Sequence, residues 1–191
     1  MKDYELDEAR IWLSIFVEAR ALAAEDRLGF GWLPADDAPE DYPALRAAFY
    51  RSRLTGAPLP VATVNVTPSV FVSAQSNWAM RFWHDVTHVE LDAGFGFRDE
   101  QRVAAHHLAA LEAAGRPPGS LEWVLLRADT VGQNLVYAMT GGGFVADQWE
   151  FTLDVLRSGL PLAVLKAVQH LENTEVCPET VVRLRRLLEA S

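Results

Sequence analysis

Along most of this chain apolar residues recur at spacings of three and four, the signature of helices that each bury one face. From about Asp7 to Leu28 the residues Ile11, Ile15, Phe16, Ala19 and Leu22 form one such stripe, closed by Gly29. Gly29 to Pro43, with Gly29-Phe30-Gly31-Trp32 and several prolines, reads as an ordered loop whose aromatic rings need burial. A short helix over Pro43–Leu54 is stopped by Thr55-Gly56. The period then changes. Val61, Thr63, Val64, Val66, Val70, Phe71 and Val72 are strand formers around Thr67-Pro68-Ser69, which predicts a small β-hairpin over 59–73. Beyond Ser73 the helical period returns, predicting helices at Ser76–Ala93, Asp99–Ala114, Ser120–Thr140, Ala146–Ser158, Pro161–Asn173 and Pro178–Ala190. Asp99 and Ser120 stand where N-caps belong, and Pro161 and Pro178 stand in first turns. The expected fold is mostly α: a single-domain antiparallel helical bundle over 1–191 with the hairpin as an insertion.

Three consecutive helices carry polar residues that this pattern does not explain as surface. The helix Ser76–Ala93 lines up Asn77, Arg81, His84, His88 and Asp92 opposite Trp78, Phe82, Val86 and Val89, which alone would be a wet face. His84 and His88, four residues apart, place two imidazoles one turn apart, where they can share a metal ion. In the next helix Glu100 and His107 fall within about 80° of Val103, Ala104, Leu108 and Leu111, inside the stripe that packs inward, while His106 points away. A carboxylate drawn into a core costs several kcal/mol unless it is paired, hydrogen-bonded or bound to a cation. The helix Ser120–Thr140 is apolar nearly all round, Asp129 and Gln133 excepted. Gly132 in its interior predicts that a neighbouring backbone or bulky ring approaches closely there.

Composition narrows the classes. The 191 residues carry 17 Lys+Arg against 26 Asp+Glu, a net charge of −9, which speaks against sequence-independent nucleic-acid binding. A single cysteine, Cys177, excludes an internal disulfide framework and fits a reducing compartment. The acidic N-terminus lacks the apolar core of a signal peptide and no apolar run approaches membrane-spanning length, so a soluble, cytoplasmic protein with no membrane partner is expected. The Arg183-Leu184-Arg185-Arg186 run reads as a solvated helix face, and Leu184, Leu187 and Leu188 as a contact for a homo-oligomer. The small-molecule or protein partner itself stays unassigned.

Two arrangements satisfy polar groups that meet in a dry bundle. One is a structural network in which Arg81 neutralises Asp129 or Glu100. The other is a divalent metal site with His84, His88, His107 and one or both of Glu100 and Asp129 as ligands, supported by Gln133 or Asp85; such a nitrogen and oxygen set suits Zn, Mn or Fe. The stretch Arg81-Phe82-Trp83-His84-Asp85-Val86-Thr87-His88, then Gly94-Phe95-Gly96-Phe97-Arg98-Asp99-Glu100 with His107, then Asp129-Thr130-Val131-Gly132-Gln133-Asn134 resembles a family of uncharacterised phage- and mobile-element-encoded helical proteins. That family carries Arg-x-x-His-Asp…His, Gly-Phe…Glu…His and acidic-Thr-x-Gly-Gln segments in this order, often with one more residue between the first two histidines. The resemblance spans Asn77 to Asn134 and implies that these residues cluster; it implies no particular reaction.

His84-Asp85-x-x-His88 approaches the zinc-peptidase helix, but its acid is one methylene short and the downstream glycine–histidine extension is missing. Paired Glu-x-x-His motifs for a di-iron bundle are also missing. The expectation is therefore a metal-dependent enzyme of hydrolytic type, in which Asp85 or Asp129 handles a proton and Arg81 binds an anionic part of substrate or orients a carboxylate. The alternative is a non-catalytic interaction or accessory protein of a mobile element, its buried polar network purely structural.

Overall fold

A computed structural model describes residues 3–64, 69–173 and 177–189. The described residues are mostly helical, as the periodicity predicts, and fall into two compact units. The first comprises described residues 3–64 and 71–95, the second 69–70, 96–173 and 177–189.

The first unit contains helix α1 (Asp3–Leu28), strand β1 (Trp32–Ala35), helix α2 (Tyr42–Thr55), strand β2 (Leu59–Ala62) and helix α3 (Ala74–Glu90). Its caps follow the local sequence: the Asp41 side chain accepts from the Ala44 amide at the start of α2, and Ser73 accepts from the Ser76 amide at the start of α3. At the exit of α2, Gly56 takes the left-handed conformation that halts the helix.

Among the described residues of the hairpin expected over 59–73, the strand is the first limb alone, and β2 pairs in parallel with β1, Trp32 opposite Leu59 and Ala35 opposite Ala62. Val70 to Ser73 is a series of bends, and the expected turn at Thr67-Pro68 lies outside the described residues. Parallel strands cannot be joined by a tight turn, and α2 is the crossover between them. Trp32–Ala35 has the look of a loop because Pro34 interrupts it. In a two-stranded sheet both strands are edges, so Pro34 and Pro60 are tolerated.

The core of this unit gathers Ala21, Ala24 and Leu28 of α1, Phe30, Leu45 and Phe49, Leu59 and Val61 of β2, and Ala79, Phe82 and Val86 of α3. Phe82 is its hub, stacked on Trp32 at 5.0 Å and edge-on to Phe30 at 6.2 Å. The face of α1 differs from the expected stripe: Leu6, Ala9, Leu13, Phe16, Val17 and Ala21 are buried, whereas Ile11, Ile15 and Leu22 are at least half exposed. Apolar residues lie on both sides of α1, so periodicity alone could not choose between them.

The second unit holds α4 (Phe97–Ala113), α5 (Leu121–Arg127), α6 (Gln133–Thr140), α7 (Gln148–Ser158), α8 (Leu160–Glu172) and α9 (Pro178–Glu189). Asp99 is not the cap of α4. Gly96 is, and Asp99 sits in the first turn, where its amide bonds the Gly96 carbonyl and its carboxylate pairs with Arg102 at 2.9 Å. The long helix expected over Ser120–Thr140 does begin at the Ser120 cap, but a π-helical turn at Ala128–Gly132 separates α5 from α6. Gly132 fulfils its expectation: a Cβ there would lie 2.8 Å from the Phe151 ring and 3.0 Å from Leu160. Arg183 of α9 is exposed, as the solvated-face reading expects, and it also donates to the Ala138 and Met139 carbonyls at 2.7 and 3.1 Å, satisfying the last turn of α6. Leu184 beside it is buried. No helix among the described residues is long and apolar enough to cross a membrane.

Candidate metal centre

Within the first unit, α3 carries Arg81, His84, Asp85 and His88. Of the stripe expected to be wet, Asn77 and His88 are buried, Arg81 and His84 are half-buried and Asp92 is exposed; Asp85 beside the stripe is half-buried. Arg81 is held in place. Its Nε donates to Asn77 Oδ1 at 2.9 Å and a terminal nitrogen donates to the Ala62 carbonyl at 3.0 Å, tying α3 to the end of β2. Asp85, adjacent to His84, is turned about 100° further round the helix.

The two histidines meet. Their rings lie edge to face, centroids 4.5 Å apart, with the two Nε2 atoms separated by 2.9 Å. His88 is completely buried, flanked by the Phe95 ring at 5.0 Å, and its Nδ1 lies 3.0 Å from the Ala93 carbonyl. A carbonyl can only accept, so Nδ1 of His88 carries a proton and donates it, which selects the tautomer with its lone pair at Nε2. Across that 2.9 Å contact, His84 Nε2–H completes the pair by donating to that lone pair.

Do these residues fit a divalent ion? Two imidazole nitrogens bound to one ion at ~2.0–2.1 Å stand about 2.9 Å apart at a right angle and about 3.3 Å apart at the tetrahedral angle. The observed 2.9 Å lies within that range. A ring whose remote nitrogen donates to a carbonyl is also the arrangement that orients metal-ligating histidine and raises its basicity. The pair fits.

The remaining candidates belong to the second unit. Glu100 lies in the first turn of α4, half-buried, and its Oε2 accepts from Asn134 Nδ2 of α6 at 3.2 Å. His107 is completely buried on α4, as its place in the apolar stripe predicts, and His106 is exposed. Asp129 is half-buried in the π-helical turn and Gln133, opening α6, is buried. The face that the sequence assigns to Asp129 and Gln133 assumes regular α-helix; a π-helical turn bonds i to i+5 and rotates the residues after it. Gln133 Oε1 and both amide atoms of Gln101 are buried without a hydrogen-bond partner among the described residues. Gln101, within one turn of Glu100, is not marked by the sequence, because a glutamine at the edge of an apolar stripe gives no signal of its own.

Nor does the sequence mark the groups that set the His88 ring. Ala93 contributes through its backbone, and only the Asp92-Ala93-Gly94 exit of α3 hints at a special turn there. No protein-family profile, curated protein or solved structure matches this chain.

Proposed function

We propose that this protein binds one divalent transition-metal ion through Nε2 of His84 and Nε2 of His88, and that the site serves hydrolytic chemistry. The observation that carries the proposal is the His84–His88 pair: two Nε2 atoms 2.9 Å apart, one belonging to a ring whose Nδ1 donates to a backbone carbonyl. When bound, such an ion acidifies a coordinated water toward neutral pH and polarises a carbonyl or phosphoryl oxygen. The chain's own part is preorganisation. Burial holds the His88 ring rigid, and the Nδ1 bond selects the tautomer whose lone pair lies at Nε2. Arg81, fixed by Asn77 and Ala62, holds a positive charge one turn before His84, suited to an anionic part of the substrate. Asp85 is the candidate proton acceptor, half-buried and next to His84 in sequence.

A second reading rests on the same bond. His84 Nε2–H to His88 Nε2 is a complete hydrogen bond without any ion, as a non-catalytic accessory or interaction protein with a structural polar network requires. Elemental analysis of the full chain, purified from metal-supplemented growth, separates the two. The metal reading expects about one equivalent per chain, lost in both His84→Ala and His88→Ala. Absence of metal from the parent protein, or contents unchanged in both variants, favours the structural network.

A further inference from the structure

We infer that Asp92 is a positioning residue for His88, its left-handed backbone aiming the Ala93 carbonyl at the imidazole; the inference deepens the metal-binding reading and rests on it for its functional meaning. Helix α3 ends at Glu90, and Asp92 follows with φ of 47°. For a residue with a Cβ this region is unfavourable, tolerated best by Asn and Asp. The turn it makes closes the chain back on His88 twice: the Ala93 amide donates to the His88 carbonyl at 2.9 Å, and the Ala93 carbonyl accepts from His88 Nδ1 at 3.0 Å. Ala93 is itself fully buried, so its carbonyl is held away from bulk water. A right-handed or extended residue at 92 would send that carbonyl elsewhere.

The conformation is steadied from α2. Tyr42 donates its hydroxyl to Asp92 Oδ1 at 2.8 Å, and an Arg46 guanidinium nitrogen stands 3.6 Å from the same oxygen. Phe95, just beyond the turn, packs edge-on against both the Tyr42 ring, at 6.2 Å, and the His88 ring, at 5.0 Å. Tyr42, Asp92, Ala93 and Phe95 thus form a bracket whose output is the tautomer of one buried imidazole. With the left-handed turn at residue 92 intact, Nδ1 is the protonated nitrogen and Nε2 keeps its lone pair; without that turn, the proton can reside on Nε2 and block the donor atom.

The test reads the tautomer directly, by nitrogen-15 NMR of the imidazoles in chelator-treated full chain. The parent is expected to show His88 protonated at Nδ1. Asp92→Gly, which adopts positive φ freely, should keep that signature, and Asp92→Val, which resists positive φ, should lose it. Asp92→Ala serves in place of valine if circular dichroism shows that the valine variant does not fold. Affinity for Zn²⁺, measured on the same samples, should fall tenfold or more in the valine or alanine variant and by less than about threefold in the glycine variant, in line with the loss of a group that orients a ligating histidine. An unchanged Nδ1 tautomer in the valine or alanine variant overturns the inference, as does its loss in the glycine variant. A parent with the expected tautomer and no Zn²⁺ affinity leaves the positioning role standing and defeats the metal reading alone.

Discussion

Replacing Gly132 by alanine sets two effects of opposite sign against each other. Gly132 has ordinary right-handed helical angles, φ −63° and ψ −47°, so alanine should gain about 1 kcal/mol of helix propensity. Its new methyl group, however, would stand 2.8 and 3.1 Å from two atoms of the Phe151 ring and 3.0 Å from Leu160 Cδ1. Phe151 and Leu160 are 5% and 4% exposed, so neither can swing into solvent. Overpacking of this kind costs roughly 1–3 kcal/mol, which outweighs the propensity term and leaves a net loss of up to about 2 kcal/mol. Urea denaturation of the full chain should show a lower midpoint with an unchanged slope. In a Phe151→Leu background the ring atoms are gone, and the same glycine-to-alanine change should become neutral or stabilising. If Gly132→Ala stabilises the parent protein by the full propensity amount, the close approach is not what keeps glycine at this position.

Other outcomes rest on single interactions. Burial first, then the hydrogen bond to Asp92, holds the Tyr42 hydroxyl above its usual titration range. The folded state therefore keeps this proton longer than the unfolded chain does, and the stabilisation is complete below about pH 10 and lost as pH rises through the folded value. Alkaline denaturation of Tyr42→Phe should lack that part of the decline, and identical profiles for parent and variant would refute it. Lys166 grips Asp154 through both carboxylate oxygens, at 2.9 and 2.7 Å, but is itself 69% exposed. Lys166→Ala should thus cost less than about 1 kcal/mol in thermal melts, shrinking in high salt. Arg183→Ala leaves the Ala138 and Met139 carbonyls to water and should cost about 1 kcal/mol in urea denaturation, without altering metal content.

The helices are legible where apolar spacing agrees with a cap or a glycine exit, as for α5 with Ser120 and α2 with Gly56. They are not legible where tertiary pairing decides. The strand Leu59–Ala62 is visible as a β-forming run, but its partner, Trp32–Ala35, is specified by a crossover through α2 and by the packing of Trp32 on Phe82, neither of which leaves a local trace. The outward face of Ile11 and Ile15 and the π-helical turn before Gln133 are likewise settled by neighbours. At the candidate site, spacing alone brings His84 and His88 together, and the apolar stripe of α4 correctly marks His107 as buried. The tautomer of His88 cannot be read from the chain, because the group that sets it is a backbone carbonyl oriented by a left-handed aspartate.

Titration of the chelator-treated full chain with cobalt(II), followed by visible absorption, tests the central claim most directly. A ligand-field spectrum that saturates at one equivalent, and that is abolished in both His84→Ala and His88→Ala while their folding is intact, is the predicted result. No spectral change in the parent protein, or an unaltered end-point in His88→Ala, would contradict it.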